Sequence, residues 1–167
     1  MEDSYRNNVV EFSMIYNNKR LDMLDFYTSC FNSSEFTNFI FKHLFDVDIE
    51  SSGYGLDGST RQMTNDIGDL KIYNENDLQK INYLIDIKKG DLVFFHEQAL
   101  DSNSPTPNNR YPGHVGIYLG DNSFIHASLE EEKIVISSLS GKWLDKLVAS
   151  RDIIKEINYN DLNKKIC

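Results

Sequence analysis

The residues able to do chemistry concentrate in two stretches of this chain: Phe31-Asn32-Ser33-Ser34-Glu35-Phe36 and, far downstream, the run GHVGIYLGDNSFIHAS from Gly113 to Ser128. In the second, an extended backbone points successive side chains to opposite faces. His114, Gly116 and Tyr118 therefore share one face, polar at His114, while Val115, Ile117 and Leu119 take the apolar other. Gly120-Asp121-Asn122 is a turn signal that folds SFIHAS back against HVGIYLG. His114 and His126 then become opposite or diagonal neighbours with Cβ atoms roughly 5 to 8 Å apart, within reach of an imidazole–imidazole hydrogen bond. In such a pair His114 can act as a base while His126 holds its other ring nitrogen.

A base needs a nucleophile or a water to work on. The first turn of a helix favours a thiolate, because its free N–H groups and the helix dipole stabilise negative charge. Ser33 occupies that place. Asn32 as N-cap with Glu35 three residues later is a capping-box pattern, and Phe36, Phe39, Ile40, His43 and Leu44 form the apolar stripe behind it, so a helix is predicted from about Ser33. Alone, Ser33 reads as an ordinary helix-start serine. Cys30 is a rival nucleophile, although it lies ahead of the first turn, where a buried or loop thiol is the plainer role. A zinc site using His114, His126 and a carboxylate is a further alternative, but no third ligand stands at a telling spacing, and neither a metal nor another cofactor is expected. His43 is read as a core or edge histidine and His96 as solvated. The acidic run LEEEK, residues 129–133, is read as a solvated turn that meets a substrate amine if it borders the cleft.

The elements that must position these residues fall into two halves. Tyr5, Val9, Phe12 and Tyr16 repeat with helical spacing, so two amphipathic helices open the chain. Residues 51–75 are glycine-rich and poorly periodic, predicting loop with at most one helical turn, and NDLQKINYL predicts another short helix. From Ile87 the period changes, with GDLVFF, HVGIYLG, SFIHAS, KIVISS and DKLVASRDII reading as short strands. The insert HEQALDSNSPTPNNRYP holds all three prolines and is expected to be a surface loop near the strand ends. The layout is α+β: N-terminal helices packed on a C-terminal antiparallel sheet, in a single domain over residues 1–167.

Bulk composition narrows the function classes. With 167 residues and 40% hydrophobic composition, the chain can bury a core without staples. A formal charge of −9 argues against gripping nucleic acid or anionic lipid, which needs clustered Lys and Arg. Cys30 and Cys167 make neither a metal-ligand spacing nor a disulfide framework. No apolar run approaches the roughly 18 residues of a membrane span, and MEDSYRNNVV lacks a basic region followed by an apolar one, so no Sec-type address is expected there.

Together these residues resemble the NlpC-type cysteine peptidases, papain-like enzymes of bacterial cell-wall turnover. Their nucleophile motif is similar to FNSSEF at every position but one: the family's cysteine falls on Ser33. KKGDLVFF resembles the strand leading to the active-site sheet, GHVGIYLGDNSFIHAS the histidine hairpin, and KWLDKLVASRD, with Trp143 and Arg151, the closing strand. The resemblance covers about residues 26 to 153. It implies His114 as base, His126 as orienting residue and Tyr27 as a contributor to the oxyanion site. It further implies thiolate attack on an amide of peptidoglycan stem peptides, at the cell wall in a periplasmic or extracellular setting reached by an unidentified export route. Wall remodelling, phage lysis or antibacterial killing with an immunity or inhibitor partner would each use that reaction. Ser33 in the nucleophile position implies an inactivated variant, engineered or natural. The alternatives are a pseudoenzyme that binds muropeptides and an acyl hydrolase or transferase acting on lipids.

Overall fold

The computed structural model describes residues 1–24, 32–49, 58–73, 86–96 and 112–166. Two helices, α1 (Glu2–Met14) and α2 (Ser33–Phe45), precede a short α3 (Gly58–Thr64) and the strand β1 (Asp69–Ile72). Four strands follow: β2 (Leu92–His96), β3 (Pro112–Gly120), β4 (Ser123–Ser128) and β5 (Lys133–Ser138). A one-turn α4 (Lys142–Lys146), the strand β6 (Leu147–Asp152) and α5 (Ile154–Ile166) complete the order. The six strands form one sheet in the order β1-β6-β2-β3-β4-β5, every pair antiparallel. This is the α+β architecture expected, with three additions. Residues 51–75 contain α3 and β1, and the final strand gives way at Ile153 to α5. The helix expected at NDLQKINYL and most of the proline-bearing insert lie outside the described residues.

Why α1 and α2 pair is visible in their aromatic faces. Tyr5 meets Phe45 edge-on at 5.6 Å between centroids, and Phe12 packs on Phe39 and stacks on His43 at 4.6 Å. His43 is thus an exposed edge residue resting on aromatic rings. Arg6, buried on α1, donates to Asp91 at 2.9 Å and to Asp152 and Glu2 at 2.7 Å each, clamping the helix to the ends of β2 and β6. The outer edge of β5 is covered by the chain after α1, where Asn18 donates to the Ile134 carbonyl and Ile134 donates to that of Lys19.

The sheet is buried on both sides. Val115, Ile117, Ile125 and Ala149 face Phe36, Ile40 and Ile154 of the helices. On the other side Phe95, Tyr118 and Phe124 pack with Leu139, Leu147 and Trp143. The histidine face, expected to be the polar one, is therefore a second, aromatic-rich core. The strand alternation was read correctly, but the rings that cover that face come from β2, β4 and α4, which no local pattern connects.

Candidate active site

Ser33 is the first residue of α2, and the capping box forms as its spacing predicts. The Asn32 side chain accepts from the Glu35 N–H at 3.0 Å, and the Glu35 carboxylate accepts from the Asn32 N–H at 3.3 Å. A second lock comes from α3. Gln62, fully buried, donates to the Ser34 carbonyl and accepts from the Thr37 hydroxyl, each at 2.7 Å. Four polar groups thereby fix the first turn on which residue 33 stands.

The two histidines are set by the β3–β4 hairpin. Asp121 and Asn122 both adopt positive φ, 49° and 56°, the geometry of a tight hairpin turn that asparagine and aspartate tolerate. Ile117 pairs with Ile125 and Tyr118 with Phe124, and this register leaves His114 and His126 diagonal to one another. Nε2 of His114 lies 2.7 Å from Nδ1 of His126, with the rings nearly perpendicular. Gly116 makes this possible. A Cβ there would come within 2.8 Å of Phe124 and 2.9 Å of the Ile125 carbonyl, so only glycine leaves space for the rings of β4.

Ser33, His114 and His126 line one cleft of about 480 Å³. All three are deeply placed, at 6%, 9% and 2% exposure. The Ser33 hydroxyl accepts from the Val115 N–H at 3.4 Å, next to His114 in the chain, rather than bonding the ring itself. Such contacts are commonly long in an unliganded site, and a hydroxyl reaches less far than a thiol. Burial holds both rings well below the ordinary histidine range. His114 falls to about 4, helped by the charge of Lys146, and His126 to about 3, helped by His114. Both are therefore neutral near pH 7, one proton per ring, which suits a base with a bare nitrogen.

The cleft also uses residues that the motif reading did not assign to it. Trp143 on α4 packs on both rings, 5.4 Å from His114 and 5.1 Å from His126, and roofs the pair. Lys142 and Lys146 of α4 and Ser59 of α3 line the cleft as well; Glu130 of the acidic run, expected to meet a substrate amine if it borders the cleft, does line it. KWLDK was legible only as the approach to a strand, and the role of Ser59 has no signal in spacing. Ser137 of β5 lies 2.8 Å from the second nitrogen of His126, Nε2. Tyr27 and Cys30 lie outside the described residues. Among the described residues no group of three or more His, Cys, Asp or Glu could hold a metal ion, so the zinc alternative lacks its third ligand there. No helix among them is long and apolar enough to cross a membrane.

Known proteins share sequence and fold with this chain. The chain is 41% identical over 70 residues to the Probable endopeptidase NlpC homolog of Haemophilus influenzae, covering 41% of this chain and 30% of that protein. It is 35% identical over 72 residues to the Probable endopeptidase YafL of Escherichia coli, covering 42% and 25% respectively. The chain thus spans less than a third of the length of either relative. Among solved structures, the NlpC/p60 domain of the peptidoglycan hydrolase SagA superposes with a TM-score of 0.53 at 21% identity, covering 88% of this chain and 97% of that one, a likeness of fold. Residues 27–152 match the family described as NlpC/P60, a stretch that contains Ser33 and the whole histidine hairpin; the chain belongs to that family.

Proposed function

We propose that this domain is built for hydrolysis of amide bonds in peptidoglycan stem peptides, with residue 33 in the nucleophile position, His114 as base and His126 as the group that orients it. The observation that carries the reading is the hydrogen-bonded histidine pair opening onto the same cleft as the first turn of α2. Support for the substrate comes from the family and from SagA, a peptidoglycan hydrolase by name. The cleft's Lys142 and Lys146 against Glu130 also suit peptides that carry both carboxylates and amines.

With a thiol at position 33 the proposed steps are these. His114, its Nε2 engaged by His126, takes the thiol proton on its remaining nitrogen, and the thiolate attacks the amide carbonyl. The first-turn N–H groups at Ser33 and Ser34 have no acceptor within the helix and can donate to the developing oxyanion. His114 then protonates the leaving amine, and water resolves the thioester. With Ser33 as it stands, a hydroxyl far from ionisation faces a histidine whose basicity burial has lowered, so hydrolysis is slow or absent.

The deciding experiment is digestion of purified muropeptides by Ser33→Cys, with products identified by mass. Cleavage that vanishes on thiol alkylation and in Ser33→Cys/His114→Ala is expected. An inert Ser33→Cys protein that still binds muropeptides would make the domain a binding module instead.

A further inference from the structure

The hydrogen-bonded pair does not end at His126. Its Nε2 lies 2.8 Å from the Ser137 hydroxyl, which reaches it diagonally across the β4–β5 ladder, where His126 pairs with Val135 and Phe124 with Ser137. His126 is almost fully buried, whereas Ser137 is half-buried and lies outside the cleft lining. The result is a three-member chain, His114–His126–Ser137, that runs from the cleft to β5 at the end of the sheet.

Two proton arrangements satisfy this chain when both rings are neutral. In the first, His114 Nε2–H donates to His126 Nδ1, His126 Nε2–H donates to the Ser137 oxygen, and the serine proton turns to solvent. In the second every donor and acceptor is exchanged, so His114 presents an N–H to the cleft and cannot act as a base. The first places both rings in the Nε2–H tautomer, which neutral histidine intrinsically prefers; the second places both in the disfavoured one. The hydroxyl is what lets the first exist, since without it a buried Nε2–H on His126 would have no acceptor among the described residues.

We infer that Ser137 is a positioning residue, which accepts from His126 Nε2–H and so keeps the cleft-facing nitrogen of His114 unprotonated. This rests on the proposed role of His114 as base. When His114 takes a proton at that nitrogen, His126 offers it a lone pair at Nδ1, and no further proton needs to move. Ser137 acts only through His126 and touches no substrate.

The test reads tautomers by side-chain nitrogen–proton NMR in the chain as it stands, in Ser137→Ala and in Ser137→Thr. The expected result is Nε2–H on both rings in the parent and in Ser137→Thr, with His126 shifting toward Nδ1–H in Ser137→Ala. Nδ1–H on His126 in the parent, or an unchanged tautomer in folded Ser137→Ala, would overturn the assignment. Should Ser137→Ala fail to fold, the parent and Ser137→Thr spectra decide by the same signature. In the Ser33→Cys background, Ser137→Ala should lower kcat on muropeptides roughly tenfold with KM little changed, and Ser137→Thr should recover it. An inert Ser33→Cys protein would count against the peptidase reading alone, because the tautomer signature of Ser137 needs no activity.

Discussion

At the scale of single residues, the site depends on small side chains as much as on the groups proposed to do chemistry. Gly116 is the clearest case. Ala at that position would press its Cβ on the Ile125 carbonyl, which is backbone and cannot rotate away. Gly116→Ala is expected to destabilise the fold by about 1–3 kcal/mol and to separate the two histidine rings. Thermal unfolding measures the first effect and the shifts of the His114 and His126 side chains the second; a variant as stable as the parent would show that the strands shift freely, against this account. Ser33, His114 and His126 were legible because capping and turn chemistry are local, fixed by Asn32, Glu35, Asp121 and Asn122 within a few residues. Ser137 and Trp143 were not. Each reaches the histidines only through the pairing of β5 with β4 or the docking of α4, and neither is written in a short window.

At the scale of elements, the first turn of α2 is held from two directions, by its own cap and by Gln62 of α3. Asn32→Ala removes one N-cap bond and should destabilise by about 1 kcal/mol. Gln62→Ala takes one partner each from the Thr37 hydroxyl and the Ser34 carbonyl, which keep their 2.9 Å bond to each other, and removes a fully buried side chain, so it should cost about 1–3 kcal/mol. Denaturant unfolding of both variants distinguishes them; Gln62→Ala milder than Asn32→Ala would mean that α3 is not what holds this turn. That α3 lock was invisible in the sequence because residues 51–75 carry too little periodicity to place a helix. The last helix was missed for another reason. Ile153 and Ile154 are β-branched and close the strand expected over DKLVASRDII, yet with Ile157 their buried spacing is that of a helix face.

For the whole molecule, two sets of buried titratable groups pull stability in opposite directions with pH. His114 and His126 have native values below the unfolded one, so between pH 4 and 6.5 the unfolded chain binds more protons and stability falls as pH falls. Asp91 has the reverse sign. Burial, then the charge of Asp152, pushes it up to about 7 and outweighs the attraction of Arg6, so the native state binds the extra proton and stability falls as pH rises through the same window. Two histidines outweigh the one aspartate, so the parent's melting temperature should rise from pH 4.5 to 6.5, and Asp91→Asn, whatever its absolute stability, should show a steeper rise. An unchanged slope in Asp91→Asn would remove Asp91 from this balance.

The central claim is that residue 33, His114 and His126 form one nucleophile, base and orienter, and the ionisation of a thiol at position 33 tests it without reference to any substrate. In Ser33→Cys carrying Cys30→Ser and Cys167→Ser, the rate of alkylation against pH reports when that thiol becomes a thiolate. A midpoint well below the roughly 8.5 of a free cysteine is expected, rising toward it when His114→Ala is added. A midpoint near 8.5 that His114→Ala leaves unchanged would contradict the account.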